Sequence, residues 1–266
     1  MLHAKNCQLD LPFGTVDYIR FGSGKIPLVM IPGVGDGLKT VRGMAVPFAL
    51  LYHSLARDFT VYVFSRCREL PFGTTTWDMA EQLNVALQAL DLSSVALVGV
   101  SQGGMIAQWL AINFPDRVGR LVLAVTLSRP NPTIEGVVER WITLAERGDY
   151  TGIMLDTAER SYSEKRLKLA KIEYRLLGSF GKPKSFDRFI RQAESCVTHN
   201  AWNRLDYITC PTLVIGGEDD RIVTGQASRE MSDRIRDCSL YMYEGLGHGL
   251  YEEAPDFLTR VREFCM

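Results

Sequence analysis

An apolar run, Val95-Ala96-Leu97-Val98-Gly99-Val100, stops at Ser101, with glycine two residues before the serine and two residues after it at Gly103. Gly-x-Ser-x-Gly in this setting is the sequence form of a nucleophile elbow, in which a strand turns abruptly into a helix and holds a serine hydroxyl at the tip. A serine at the top of so tight a turn sits in strained backbone geometry, and side chains at 99 and 103 would collide where strand and helix meet. The flanks agree with this reading. Val95 to Val100 suits a strand buried on both faces of a parallel sheet. Met105, Ile106, Trp109, Leu110 and Ile112 follow at helical spacing, and the pattern stops at Phe114-Pro115.

The same alternation of strand and helix runs through most of the chain. Thr15 to Phe21 alternates like a half-buried strand, and Pro27 to Pro32 is a compact apolar strand that ends in the loop Gly33-Val34-Gly35-Asp36-Gly37. Further strands are expected at Phe59 to Phe64, Leu121 to Val125, Thr212 to Ile215 and Ser239 to Tyr243. Helices are expected at Trp77 to Leu90, about 224 to 236, and 255 to 265. Such a pattern predicts a mainly parallel, doubly wound α/β sheet. From about Ser128 to Leu205 the chain offers helical patterns, Val137 to Arg147 and Glu164 to Leu177 among them, with a loop at Gly178 to Ser185. The expected organisation is a core of residues 1–127 and 206–266, with 128–205 inserted as a helical cap.

Composition narrows the partners. The 266 residues are 46% hydrophobic, enough for one sizeable core, and 30 basic against 31 acidic residues leave a net charge of -1. No global field favours nucleic acid or an anionic membrane, so a small, weakly charged molecule is the expected partner. No segment approaches the ~18 apolar residues of a membrane span, and the first ten residues lack a signal-peptide core, which points to the cytoplasm. Six cysteines without Cys-x-x-Cys spacing, beside four histidines, suggest neither a metal site nor a disulfide framework. Cys67 and Cys196 read as buried or incidental thiols.

A serine hydroxyl needs a base to take its proton, and that base must be oriented by a third group. Two loops after late strands offer these groups. Leu213-Val214-Ile215-Gly216-Gly217 leads into Glu218, Asp219 and Asp220, and Tyr243-Glu244-Gly245-Leu246-Gly247 leads into His248. Only His248 of the four histidines lies in a glycine-flanked loop after a strand; His199 falls in the helical insertion, as a candidate substrate contact. The chain order Ser, Asp, His is one of the three known orders of this constellation. The glycines at 33, 35 and 37 do not complete Gly-x-Gly-x-x-Gly, which argues against a nucleotide loop.

With these segments in view, the chain resembles the α/β-hydrolase superfamily, and within it the capped serine hydrolases of the esterase and lactonase type. The resemblance rests on Leu28 to Gly33, Val98 to Met105, Phe114-Pro115-Asp116-Arg117-Val118, Cys210 to Asp220 and Gly247-His248-Gly249. It implies Asp220 as the triad acid, from the family's Gly-x-x-Asp, with Asp219 as the fallback. The family's other acid position reads Val125-Thr126-Leu127-Ser128 here and has no carboxylate. It also implies an oxyanion hole made by the backbone N–H groups of Val34 and Gln102. No metal or organic cofactor is implied.

Two departures stand out. Pro32-Gly33 replaces the family's His-Gly, and Ser65-Arg66-Cys67-Arg68-Glu69-Leu70-Pro71 replaces its Asp-x-x-Gly-x-Gly-x-Ser turn. The expected activity is hydrolysis of a small or medium carboxylic ester or lactone through an acyl-enzyme on Ser101. Carbon–carbon bond hydrolysis, cofactor-free perhydrolysis and ligand binding with little turnover are the alternatives. Trp141, Tyr150, Tyr162, Tyr174 and Phe180 are candidates to line the pocket beneath the insertion.

Overall fold

The computed structural model describes residues 3–177 and 181–266. Its centre is an eight-stranded sheet whose strands follow from the apolar runs: β1 Lys5–Leu11, β2 Gly14–Phe21, β3 Ile26–Ile31, β4 Phe59–Cys67, β5 Val95–Val100, β6 Val118–Ala124, β7 Thr212–Gly217 and β8 Cys238–Tyr243. Their spatial order is β1-β2-β4-β3-β5-β6-β7-β8. The first two strands pair antiparallel with their neighbours and the rest run parallel.

Alternation along each strand divides the core in two. Leu28, Met30, Ala96, Val98, Val122 and Ala124 pack on one face, against α1 (Ala45–Leu51) and α10 (Phe257–Cys265). Val29, Ile31, Leu97, Leu121 and Leu123 pack on the other, against α2 (Thr76–Ala89), α3 (Gln102–Asn113) and α8 (Gly225–Arg234). Both faces are covered, which is why the central strands read as unbroken apolar runs. A fully buried side chain such as Leu97 or Leu121 contributes about 1.5–3 kcal/mol by leaving water.

Between β6 and β7 the described residues form α4 (Pro132–Glu146), α5 (Tyr150–Ser161), α6 (Glu164–Leu177) and α7 (Asp187–Thr198), and no strand. Helix α4 starts five residues before the apolar periodicity, because Asn131 caps it by accepting from the N–H groups of Thr133 and Ile134 and Pro132 takes the first turn. A third apolar cluster joins this region to the sheet. Trp141, Ile153 and Phe189 pack with Met105 of α3 and with Ile222 in the loop after β7.

Five elements escaped the sequence reading: β1, α1, α5, α7 and the short helix α9 (Leu250–Glu253) near the end of the chain. Loops after β3 and β5 leave in opposite directions, since β3 connects to β4 on one side while β5 connects to β6 on the other. Such a switch point opens a crevice at the carboxyl ends of the strands.

Candidate active site

Ser101 stands in that crevice at φ +55°, ψ −123°, a conformation that costs an L-residue about 1–3 kcal/mol. The glycines around it are required by contact. A Cβ on Gly103 would lie 2.0 Å from the Ile31 carbonyl oxygen, and one on Gly99 would lie 2.5 Å from the Gly103 oxygen. Gly104 is as constrained, with Thr126 Cβ 2.6 Å from the position a Cβ would take. The elbow is anchored on both sides: Ser101 N–H donates to the Ala124 carbonyl at 2.9 Å, and the Thr126 hydroxyl donates to the Ser101 carbonyl at 2.7 Å.

The loops after β7 and β8 bring Asp220 and His248 to the serine. His248 Nε2 is 3.0 Å from Ser101 Oγ, and His248 Nδ1 is 2.8 Å from Asp220 Oδ2. The other Asp220 oxygen accepts from the backbone N–H groups of Ile222, at 2.8 Å, and Val223, at 2.9 Å. Burial opposes ionisation of Asp220, but the His248 ring and those two N–H groups outweigh it and hold the carboxyl below the ordinary carboxylate range. An ionised Asp220 can only accept, so His248 Nδ1 carries the proton and Nε2 is left to accept from the serine hydroxyl. The three neighbouring carboxylates separate by environment. Asp220 is buried, whereas Glu218 and Asp219 are exposed and Glu218 pairs with Arg229.

Helix α3 begins on Ser101 with no side-chain cap, so the Gln102 N–H is an uncommitted donor at a positive helix end. Val34 opens a short 3-10 turn, Val34–Gly37, and its N–H also has no acceptor among the described residues. Gly33 brings that turn against the serine: a Cβ there would lie 3.3 Å from Ser101 Cβ and 3.7 Å from its Oγ. Two free N–H groups, one next to the serine and one in the turn that Gly33 packs against it, are groups that could hold an oxyanion.

His199 does not reach this site. It is buried with Nδ1 2.8 Å from the Thr76 hydroxyl, against the edge of Trp109, and burial pulls its pKa down to about 3. It is a neutral core histidine, which removes it as a substrate contact. Cys67 and Cys196 are both buried, and burial raises Cys196 to about 12. No cluster of three or more potential ligand side chains among the described residues could hold a metal ion. Trp141 packs on Phe189 and donates to Asp156 at 3.1 Å, inside the helical region. The Tyr162 ring lies against the residue after His248, since a Cβ on Gly249 would meet it at 2.6 Å. Phe180 lies outside the described residues.

Sequence reasoning missed a buried polar network directly behind the two N–H donors. Arg66, at the end of β4, donates through one Nη to the Pro32 carbonyl and to Gln102 Oε1, the latter at 2.7 Å. Gln102 Nε2 then donates to the Gln192 carbonyl at 2.6 Å and to Ser195 Oγ at 3.0 Å, both on α7. Asp36, in the Val34 turn, accepts from the Arg66 N–H at 3.1 Å and from Arg188 of α7. Burial lowers Arg66 to about 10, still cationic at neutral pH. It works against ionisation of Asp36 too, but Arg188 and Arg66 keep that carboxyl below its usual value. The one sequence signal was the departure at Ser65-Arg66-Cys67-Arg68.

Residues 26–151 match the model of the α/β-hydrolase fold family. A 2-hydroxymuconate semialdehyde hydrolase of Pseudomonas sp. (strain CF600) is 28% identical over 251 residues, covering 91% of this chain and 87% of that protein. Among solved structures, MGS-M2, an α/β-hydrolase enzyme from a Medee basin deep-sea metagenome library, superposes with TM-score 0.84 at 20% identity, covering 97% of this chain and 96% of the other. The enol-lactonase of Burkholderia xenovorans LB400 superposes with TM-score 0.80 at 18% identity, covering 97% and 99%.

Proposed function

We propose that this chain, which matches the α/β-hydrolase fold family over residues 26–151, is a serine hydrolase that cleaves small or medium carboxylic esters or lactones through an acyl-enzyme. Residues 128–205 act as its cap over a core of 1–127 and 206–266. The observation that carries the reading is the unbroken relay from Ser101 Oγ through His248 to buried Asp220, at 3.0 Å and 2.8 Å.

Ser101 Oγ attacks the carbonyl carbon while His248 Nε2 takes its proton, and Asp220 stabilises the imidazolium and fixes the ring. The Val34 and Gln102 N–H groups receive the oxyanion. Collapse of the tetrahedral intermediate breaks the carbon–oxygen bond, and the alkoxide leaves with the proton from His248. Water, deprotonated by the same ring, then attacks the acyl carbon and returns Ser101. Removing a single donor of an oxyanion hole costs about 10²–10³ in kcat, so the two backbone donors account for several kcal/mol of the barrier.

The 28% identical semialdehyde hydrolase supports a second reading, in which the same residues cleave a carbon–carbon bond beside a ketone. Labelling by a fluorophosphonate, with Ser101→Ala as control, tests the nucleophile common to both. Absence of labelling, together with esterase activity that survives Ser101→Ala, would refute it. Product analysis on an ester panel and on vinylogous diketones separates the two readings.

A further inference from the structure

His248 sits in a loop with little stiffness of its own. Glycine occupies positions 245, 247 and 249, and Gly245 adopts φ +71°, so the backbone that carries the ring needs outside contacts to restrain it. The core supplies two: the Asp219 N–H donates to the Leu246 carbonyl at 3.1 Å, and Asp220 accepts from the ring. Further contacts come from the helical insertion, through residues 161–163, which join α5 to α6. The Gly249 N–H donates to the Ser161 carbonyl at 2.9 Å. The Glu253 carboxylate, at the end of α9, accepts from the Ser163 N–H at 3.1 Å and from the Ser163 hydroxyl. The Tyr162 hydroxyl donates to Glu252 at 2.7 Å.

The approach is close on both sides of the histidine. A Cβ on Gly247 would lie 3.0 Å from the Ser161 oxygen, and one on Gly249 would lie 3.1 Å from the same atom. The two glycines that flank His248 therefore make room for the insertion. One turn of helix carries the Glu253 contact back to the histidine: the Leu250 N–H donates to the Gly247 carbonyl at 3.2 Å, and the Glu253 N–H donates to the Gly249 carbonyl at 3.3 Å. Among the side-chain bonds, the one between Ser163 and Glu253 carries the weight. Both residues are half-buried, whereas Glu252 is exposed and its bond to Tyr162 competes with water.

We propose that residues 161–163 position the catalytic histidine, with Ser163 and Glu253 as positioning residues that hold the His248 loop where Nε2 meets Ser101 Oγ. Neither residue touches the reacting atoms. The proposal rests on the serine-hydrolase reading and gives the insertion a part in catalysis besides covering the site. Displacing a catalytic group by about 1 Å can cost up to about 10²-fold in rate, so a contact five residues from the base is close enough to be read in kcat.

The test begins with Glu253→Ala, which removes both side-chain bonds to Ser163. Its kcat for p-nitrophenyl acetate should fall about tenfold, with KM changed much less. The rate of fluorophosphonate labelling should fall in parallel, because both reactions need His248 to take the Ser101 proton. Glu253→Gln keeps an acceptor for Ser163 and should stay within about threefold of the parent, and Ser163→Ala, which removes one of the two bonds, should fall between them. The double variant should lose no more than Glu253→Ala alone, since the two residues act through one contact. Glu159→Gln breaks the exposed 2.7 Å ion pair to Lys171 that also joins α5 to α6, and should keep the parental kcat. Unchanged kcat and labelling in Glu253→Ala, losses that add in the double variant, or an equal loss in Glu159→Gln overturns the proposal and leaves Ser101 as nucleophile. If Glu253→Ala does not fold, Ser163→Ala decides: its kcat must fall several-fold, and parental kcat overturns the proposal. A parent protein that neither hydrolyses p-nitrophenyl acetate nor reacts with fluorophosphonate removes the serine-hydrolase reading, and the positioning role with it.

Discussion

Replacing Arg66 by methionine tests whether the network behind the Val34 and Gln102 N–H groups, the proposed oxyanion donors, aligns them. The Arg66 side chain is 3% exposed, and its two charge-assisted hydrogen bonds reach the Pro32 carbonyl, two residues before Val34, and the side chain of Gln102. Methionine fills similar volume and accepts no strain, but leaves Gln102 Oε1 and the Pro32 oxygen without a donor. Hydrogen bonds to a charged group contribute about 1.5–3 kcal/mol each. Against that loss stands the removal of a guanidinium whose Nε and second Nη make no hydrogen bond among the described residues. Asp36 stays paired, because Arg188 also reaches it. The balance is a destabilisation of about 2–4 kcal/mol, below the 3–5 expected when a buried ion is left fully uncompensated. For a chain of this size that is a Tm decrease of roughly 10 °C. Because both donor segments lose their common anchor, kcat for p-nitrophenyl acetate should fall about tenfold or more, with KM changed much less. Urea denaturation and steady-state kinetics at 25 °C read the two effects separately. Lost stability with kcat intact would show that the network holds the fold and not the donors.

Other substitutions test other links. Asp220→Asn keeps the shape but costs the relay its charge and tautomer control, so kcat should drop about 10³–10⁴-fold, and a loss under tenfold would remove Asp220 from the triad. His199 binds no proton in the folded state until about pH 3, whereas an unfolded histidine binds one near 6.5. Between those values the unfolded chain holds more protons, so stability must fall as pH falls, by up to ~1.4 kcal/mol per pH unit from this group. Denaturation curves at pH 5 and pH 7 should therefore converge in His199→Gln, and an unchanged pH slope would contradict a neutral buried His199. Gly103→Ala drives a Cβ into the Ile31 carbonyl and should cost about 1–3 kcal/mol or prevent folding. Gly136→Ala, exposed in α4 with nothing within 4 Å of the new Cβ, should instead gain about 0.5–1 kcal/mol, and thermal melts should move in opposite directions.

What could be read from the sequence was whatever the backbone must satisfy locally. The elbow is legible because Gly99, Gly103 and Gly104 each answer a contact under 3 Å, and no other residue type fits. His248 is legible because a histidine in a glycine-flanked loop after a strand has little structural use there. Asp220 needed its register in the family pattern, since burial alone separates it from Asp219 and burial is not written in the residue type. The missed helices differ in the local signal they carry. Helix α1 spans seven residues and buries only Ala45 and Ala49, with Val46, Leu50 and Leu51 left exposed, so its apolar residues show no face. Helix α7 carries an apolar stripe at helical spacing, Phe189, Ile190, Ala193, Cys196 and Val197, that the reading passed over; what residue type could not show is that Gln192 and Ser195 are buried beside it.

Those two polar residues explain each other only in three dimensions. They meet Gln102, 90 and 93 residues earlier in the chain, and Arg188 meets Asp36 across 152. Separations of that length carry no periodicity, so the network surfaced in the sequence only as a departure, an arginine pair where the family has a glycine-rich turn. A flexible glycine turn at this position would have left the first loop to be held by its own contacts. With Arg66 and Arg188 the chain ties that loop and the elbow to α7, so that any movement of the insertion that shifts α7 also reaches the Val34 and Gln102 donors. Substitutions on α7 that break the Arg188 contacts should therefore change kcat as well as stability, although α7 supplies none of the reacting groups.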